Sequence, residues 1–204
     1  MSGRIPNRRV VLLGDSIRQG YEPTVRAALA EDAFVWSPND NGQHSTNLLL
    51  NAWLWVVTQQ PAVLHLNAGM WDTRRVVRGE PGNVVPLPVY RDNVARLITV
   101  AQRHTPARVI WATTTPVHDE QANAWHCRVG LGGRDGSEIA RYNAAAVEVA
   151  RELGAAVNDL HAVVQRHGPE TIRSADGVHY TEQGYAVLGA AVADAVRAEL
   201  AKLD

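Results

Sequence analysis

Residues 10–17, VVLLGDSI, constrain the fold more tightly than any other stretch of the chain. A short apolar run closed by glycine reads as a strand buried in a parallel sheet. Gly14, Asp15 and Ser16 then form a tight turn. A helix is expected over 22–31, with Pro23 in the first turn, where proline is favoured. Ser16 thus falls on a strand-to-helix turn at the carboxyl edge of the sheet, where α/β folds hold ligands. Taken alone, Ser16 reads as a helix cap or a turn residue. The rest of the chain decides whether it is more.

Beyond this stretch, strands and helices alternate. AFVWS (33–37), AVLHLNAG (62–69), ARVIWATTT (107–115) and AAVND (155–159) read as the later strands. LLLNAWLWVV (48–57) is apolar nearly all round and is expected to be a buried helix. Further helices are expected from Tyr90 to Ala101 and from Ile139 to Leu153. Thr181 should cap the last one, with Tyr185, Leu188, Val192 and Val196 turned inward. Segments 37–46, 70–88, 117–136 and 174–181 read as loops. A loop as long as 117–136 is usually functional. The alternation implies parallel pairing with right-handed crossovers. The expected architecture is α/β: a flavodoxin-like three-layer α/β/α sandwich with a five-stranded parallel sheet, residues 1–204 forming one domain.

Composition removes several function classes. The formal net charge of -1 argues against a nucleic-acid-binding face, and Arg4, Arg8 and Arg9 are too dispersed to supply one. Cys127 is the sole cysteine, which rules out an intrachain disulfide. The start, MSGRIPNRR, has no apolar core of a secretory signal, and no stretch approaches the ~20 apolar residues of a membrane span. A cytoplasmic location is expected.

The polar residues at the carboxyl strand ends are Ser16, Gly42, His44, Asn67, Asp72, Thr114 and Thr115, joined by Asp176 and His179 from the loop before the last helix. A serine hydroxyl needs a base to take its proton and a third group to orient that base. Asp176 and His179 are spaced so that, in a turn, the carboxylate reaches one ring nitrogen and leaves the other to face a serine from another strand. An Asp-x-x-His pair is by itself a weak signal, often a loop ion pair. Its position opposite Gly-Asp-Ser gives it weight.

With these blocks in view, the sequence resembles the SGNH/GDSL hydrolase superfamily from its first strand to its last helix. GDSI (14–17) is similar to the first block of that family and DGVHYT (176–181) to the last. The resemblance implies a flavodoxin-like fold and ester hydrolysis, with Ser16 as nucleophile, His179 as base and Asp176 as its orienting partner. Gly42 resembles the second-block glycine, whose N–H joins that of Ser16 in the oxyanion hole. The third block departs from the family pattern. It reads Gly69-Met70-Trp71-Asp72, with Trp71 where the family has an oxyanion-binding asparagine. Losing one such donor typically costs ~10²–10³ in rate. The indole of Trp71, the amide of Asn67, or the backbone of Ser16 and Gly42 alone could serve instead. Asn67 is preferred, against the alternative of a strand-end amide bonded to backbone. The phrases HLNAGMWD and WATTTPV look like a variant branch of the superfamily.

Other residues divide between function and structure. Asp15 reads as a turn acceptor beside the site and Asp72 as a pin for its loop. His44 reads as a solvated loop residue within reach of substrate. Trp71 and Trp125 fall on edge loops, where aromatic rings can wall a pocket, whereas Trp53, Trp55 and Trp111 are expected in the core. His118, Asp119, His126 and Cys127 do not match metal-ligand spacing, so no metal is expected. Arg74, Arg75 and Arg78 read as a solvated face or as a greeting for an anionic substrate. The expected activity is that of a serine esterase acting on a small-molecule, short-chain ester of a sugar or natural product, without cofactor. An acyltransferase with the same triad and a non-catalytic binding module are the alternatives.

Overall fold

Alternation along β1 (Arg9–Leu13) sends Val10 and Leu12 to one face of a sheet and Val11 and Leu13 to the other, all fully buried. The computed structural model describes residues 8–203, so of the basic start Arg4 lies outside it and Arg8 and Arg9 within. Four more strands complete the sheet: β2 (Phe34–Trp36), β3 (Val63–Leu66), β4 (Arg108–Ala112) and β5 (Ala156–Asn158). All pair in parallel, in the order β2-β1-β3-β4-β5. Helices α1 (Ser16–Ala28), α6 (Leu160–His167) and α8 (Glu182–Leu200) cover the Val10 and Leu12 face. Helices α2 (Ser45–Leu50), α3 (Leu87–His104) and α5 (Gly136–Glu152) cover the other. This is the flavodoxin-like sandwich expected from the alternation. Its register sets Leu13, Leu66 and Trp111 side by side, so the chain leaves β1, β3 and β4 along one edge.

Four local expectations need correction. Helix α1 starts at Ser16, six residues before the expected start, because Asp15 caps it by accepting the Ile17 N–H at 2.9 Å. Pro23 lies inside this helix, where it forfeits one backbone hydrogen bond while Ile17, Tyr21 and Val25 anchor the buried face. The apolar stretch 48–57 is not one buried helix. It divides into α2 and a π-helical turn, Trp53–Val57, and leaves Leu50, Trp53 and Leu54 exposed. Trp53 is therefore outside the core, whereas Trp55 and Trp111 are within it. The 117–136 segment is not loop throughout, since it contains α4 (Asp119–Arg128). Finally, α6 and a short α7 (Pro169–Ile172) follow β5 where no helix was expected. No helix among the described residues is long and apolar enough to cross a membrane.

Candidate active site

Ser16 occupies the first position of α1, directly beyond the carboxyl end of β1. The capping carboxylate of Asp15 is buried and accepts the Ile17 N–H, so Asp15 is the turn acceptor expected of it. Opposite Ser16 stands the loop that precedes α8. There Asp176 Oδ1 accepts from Ser174 Oγ (2.7 Å) and from the N–H groups of Val178 and His179 (both 2.9 Å). Its Oδ2 meets His179 Nδ1 at 2.6 Å, and His179 Nε2 lies 2.8 Å from Ser16 Oγ. Burial works to raise the Asp176 pKa, but the bonds from Ser174, Val178 and His179 outweigh it and hold the carboxyl well below its usual range. An ionised carboxylate on Nδ1 keeps a proton there and presents the Nε2 lone pair to the serine.

The turn itself depends on Gly177. Its φ of +77° lies in the left-handed region, and a Cβ there would sit 2.6 Å from the backbone nitrogen of Ala122 in α4. The His118 N–H, at the start of α4, donates to the Gly177 carbonyl at 2.8 Å. Trp125, farther along α4, stands edge-on to the His179 ring with centroids 5.7 Å apart.

The other edge residues fall into place around this core. Gly42 brings the second loop against the first: its N–H donates to the Gly14 carbonyl at 2.9 Å, and a Cβ would lie 2.5 Å from that oxygen. Asn67 is buried, and its amide donates to the Ala112 carbonyl at 2.8 Å. Two of the groups named from sequence as oxyanion donors thus already have acceptors, and Asn67 makes the strand-end bond to backbone that was its alternative reading. Asp72 is fully buried and accepts the Ser45 N–H at 3.0 Å together with the Ser45 hydroxyl, which ties the β3 loop to α2; burial pushes its pKa up to about 6. His44 is more than a solvated loop residue, since its Nδ1 accepts the Asn47 N–H at 3.2 Å and caps α2. His118 caps α4, and Asp119 accepts the Gly136 N–H at 2.8 Å.

Sequence reasoning passed over Arg134, which lies in a glycine-rich run with no motif to flag it. Arg134 is only 7% exposed, and its Nε donates to Nε2 of the buried His126 at 3.4 Å. Burial, aided by the Arg134 and Arg74 charges, holds the His126 pKa down at about 4, so the ring is neutral. The Arg74 guanidinium rests over the ring of Trp71, 5.0 Å from its centroid.

Residues 12–187 match the family model described as the GDSL-like Lipase/Acylhydrolase family. No curated protein matches the sequence. Among solved structures, a lipase/acylhydrolase from Enterococcus faecalis superposes with a TM-score of 0.76 at 22% identity, covering 96% of each chain. An acetylxylan esterase from Geobacillus stearothermophilus gives 0.74 at 16% identity, over 93% of this chain and 94% of the other. A second acetyl xylan esterase gives 0.74 at 19% identity, over 92% and 99%.

Proposed function

The chain belongs to the GDSL-like lipase/acylhydrolase family and is a serine ester hydrolase, and from that premise we propose that it removes a short, acetyl-type acyl group from a sugar or small natural product using Ser16, His179 and Asp176. The observation that carries this reading is the pair of short contacts, 2.8 Å from Ser16 Oγ to His179 Nε2 and 2.6 Å from His179 Nδ1 to Asp176. Ser16 Oγ attacks the ester carbonyl as its proton passes to Nε2. The tetrahedral adduct collapses, and the departing alkoxide takes that proton. Water then attacks the acyl-enzyme with His179 again as base, releasing the acid and restoring Ser16.

The first oxyanion donor is the Ser16 N–H. It sits at the start of α1, where no carbonyl lies one turn earlier and the helix dipole favours negative charge. The Gly42 N–H and the Asn67 amide, which donate to the Gly14 and Ala112 carbonyls, would join it only by releasing or sharing those bonds. The acetylxylan esterases of like fold support acetyl as the acyl group. This reading treats residues 1–204 as one hydrolase domain.

An aryl acetate and a serine-directed phosphonate test it. The phosphonate is expected on Ser16, and Ser16→Ala and His179→Ala should abolish turnover with little change in thermal midpoint. Turnover retained by either variant overturns the assignment.

A further inference from the structure

We propose that Arg134 and Arg74 form an anion-binding subsite beside the serine, and that the ester hydrolysed here carries a negatively charged group. The proposal rests on the Ser16 and His179 reading above and deepens it.

The fold supplies partners for its other buried arginines. Arg18, 2% exposed, pairs with Glu22 at 2.5 Å and donates to the Asp40 carbonyl at 2.7 Å. The side chain of Arg173 faces Glu170 at 3.5 Å. Arg134 is different. Among the described residues its one side-chain hydrogen bond goes to a neutral imidazole and no carboxylate is within ion-pair distance; its Nη1 is buried without a partner, as is the Nε of Arg18 and of Arg173, but those two have a carboxylate alongside. The buried Asp15 carboxylate attracts it only from farther off. Arg74 also lacks an ion pair among the described residues; its Nε is buried and unpartnered while its guanidinium lies on Trp71.

The two cations are held together by the backbone. The Arg75 N–H donates to the Gly133 carbonyl at 2.9 Å, which joins the loop after β3 to the loop before α5 and sets Arg74 and Arg134 on either side of the junction. Like charges so placed repel, and each has lost part of its hydration, so a bound anion relieves both costs. Two side chains link the position to the chemistry. Arg134 touches His126, the His126 ring lies 5.1 Å from Trp125, and Trp125 lies against His179. A planar guanidinium matches a carboxylate in a two-pronged arrangement. The residue in place of the family asparagine, Trp71, is then the platform for one of the two cations.

The test compares charged and neutral esters of equal shape, each rate divided by its uncatalysed rate. One arm puts the carboxylate on the alcohol (4-acetoxybenzoate against 4-acetoxybenzamide). The other puts it on the acyl group (phenyl hemisuccinate against phenyl succinamate). In one arm kcat/KM should favour the anion by about tenfold or more, mainly through KM, and the preference should shrink as sodium chloride is added. Arg134→Gln and Arg74→Gln should each move the ratio toward one. If the buried Arg134→Gln fails to fold, the less buried Arg74→Gln carries the comparison. Ratios near one in both arms, or ratios unmoved in the folded variants, overturn the subsite while leaving the esterase reading intact. If no ester is turned over, that reading fails instead. Salt-sensitive binding of 4-hydroxybenzoate or succinate to Ser16→Ala, measured by calorimetry, then upholds the subsite, and no binding of either overturns it.

Discussion

Asp176 binds the turn with one oxygen and the imidazole with the other, so its two tasks can be separated by substitution. Asp176→Asn keeps an oxygen for Ser174, Val178 and His179. It turns an amide N–H toward His179 Nδ1, which favours the tautomer protonated on Nε2, and that nitrogen can no longer take the serine proton. The expected result is a fall in kcat of about 10³–10⁴ with circular dichroism unchanged; a fall below tenfold would show that Asp176 does not set the tautomer. Gly42→Ala acts through packing, since its Cβ would press on the Gly14 carbonyl and on Leu48. Overpacking of this kind costs ~1–3 kcal/mol, and the thermal midpoint should fall with it. Ser16, Asp176, His179 and Gly42 were legible because each belongs to a short motif. Arg134 was not, because a lone buried arginine has no spacing or periodicity to reveal it. The sequence left open whether the Asn67 amide bonds to backbone and gave no sign that the Gly42 N–H does, since both depend on how three strand ends meet.

At the level of elements, α4 is the brace behind the His179 turn. Only Ala122 and His126 are buried along it, so no apolar period announces a helix. End effects hold it instead: the His118 cap, Asp119 and Glu120 in its first turn and Arg128 in its last. The same reasoning explains α1. Its true start was hidden because Pro23 resembled a first-turn proline, while the real signal was the Asp15 cap. Gly177→Ala tests the brace. A Cβ would meet the α4 backbone and strain a left-handed residue, displacing Asp176 and His179 together. We expect kcat to fall more than tenfold, with a stability loss of ~1–3 kcal/mol. Full activity in this variant would show that α4 does not locate the turn.

Across the whole molecule, the five strands and the long helices α3, α5 and α8 were legible because the buried strands are short apolar runs and these helices carry apolar faces. The order β2-β1-β3-β4-β5 is a matter of how the crossovers run, whereas parallel pairing followed from alternation. The exposed Trp53 and the π-helical turn did not, since an all-round apolar stretch carries no facing information. Stability against pH also belongs to this scale. His65 is fully buried on β3, and burial pushes its pKa down to about 3. The unfolded chain therefore binds this proton more readily, and His65 removes stability as pH falls from about 6.5, by up to ~1.4 kcal/mol per unit. His126 acts in the same direction. Asp72 acts oppositely, because its raised pKa makes the native state bind the proton more tightly between about 4 and 6. Thermal midpoints measured from pH 4 to 7 should thus fall more steeply toward acid in Asp72→Asn and less steeply in His65→Gln. Parallel curves for all three proteins would refute the balance.

The separation of 163 positions from Ser16 to His179 has a consequence for the making of the protein. A chain emerging from the ribosome shows Ser16 long before it shows His179. Until α8 docks against α1, the serine has no base beside it and is as unreactive as any other hydroxyl. With Ser16 and His179 in the proposed roles, an unfinished chain has no esterase activity, and in refolding the return of activity should coincide with the last long-range docking step, after the central sheet has formed.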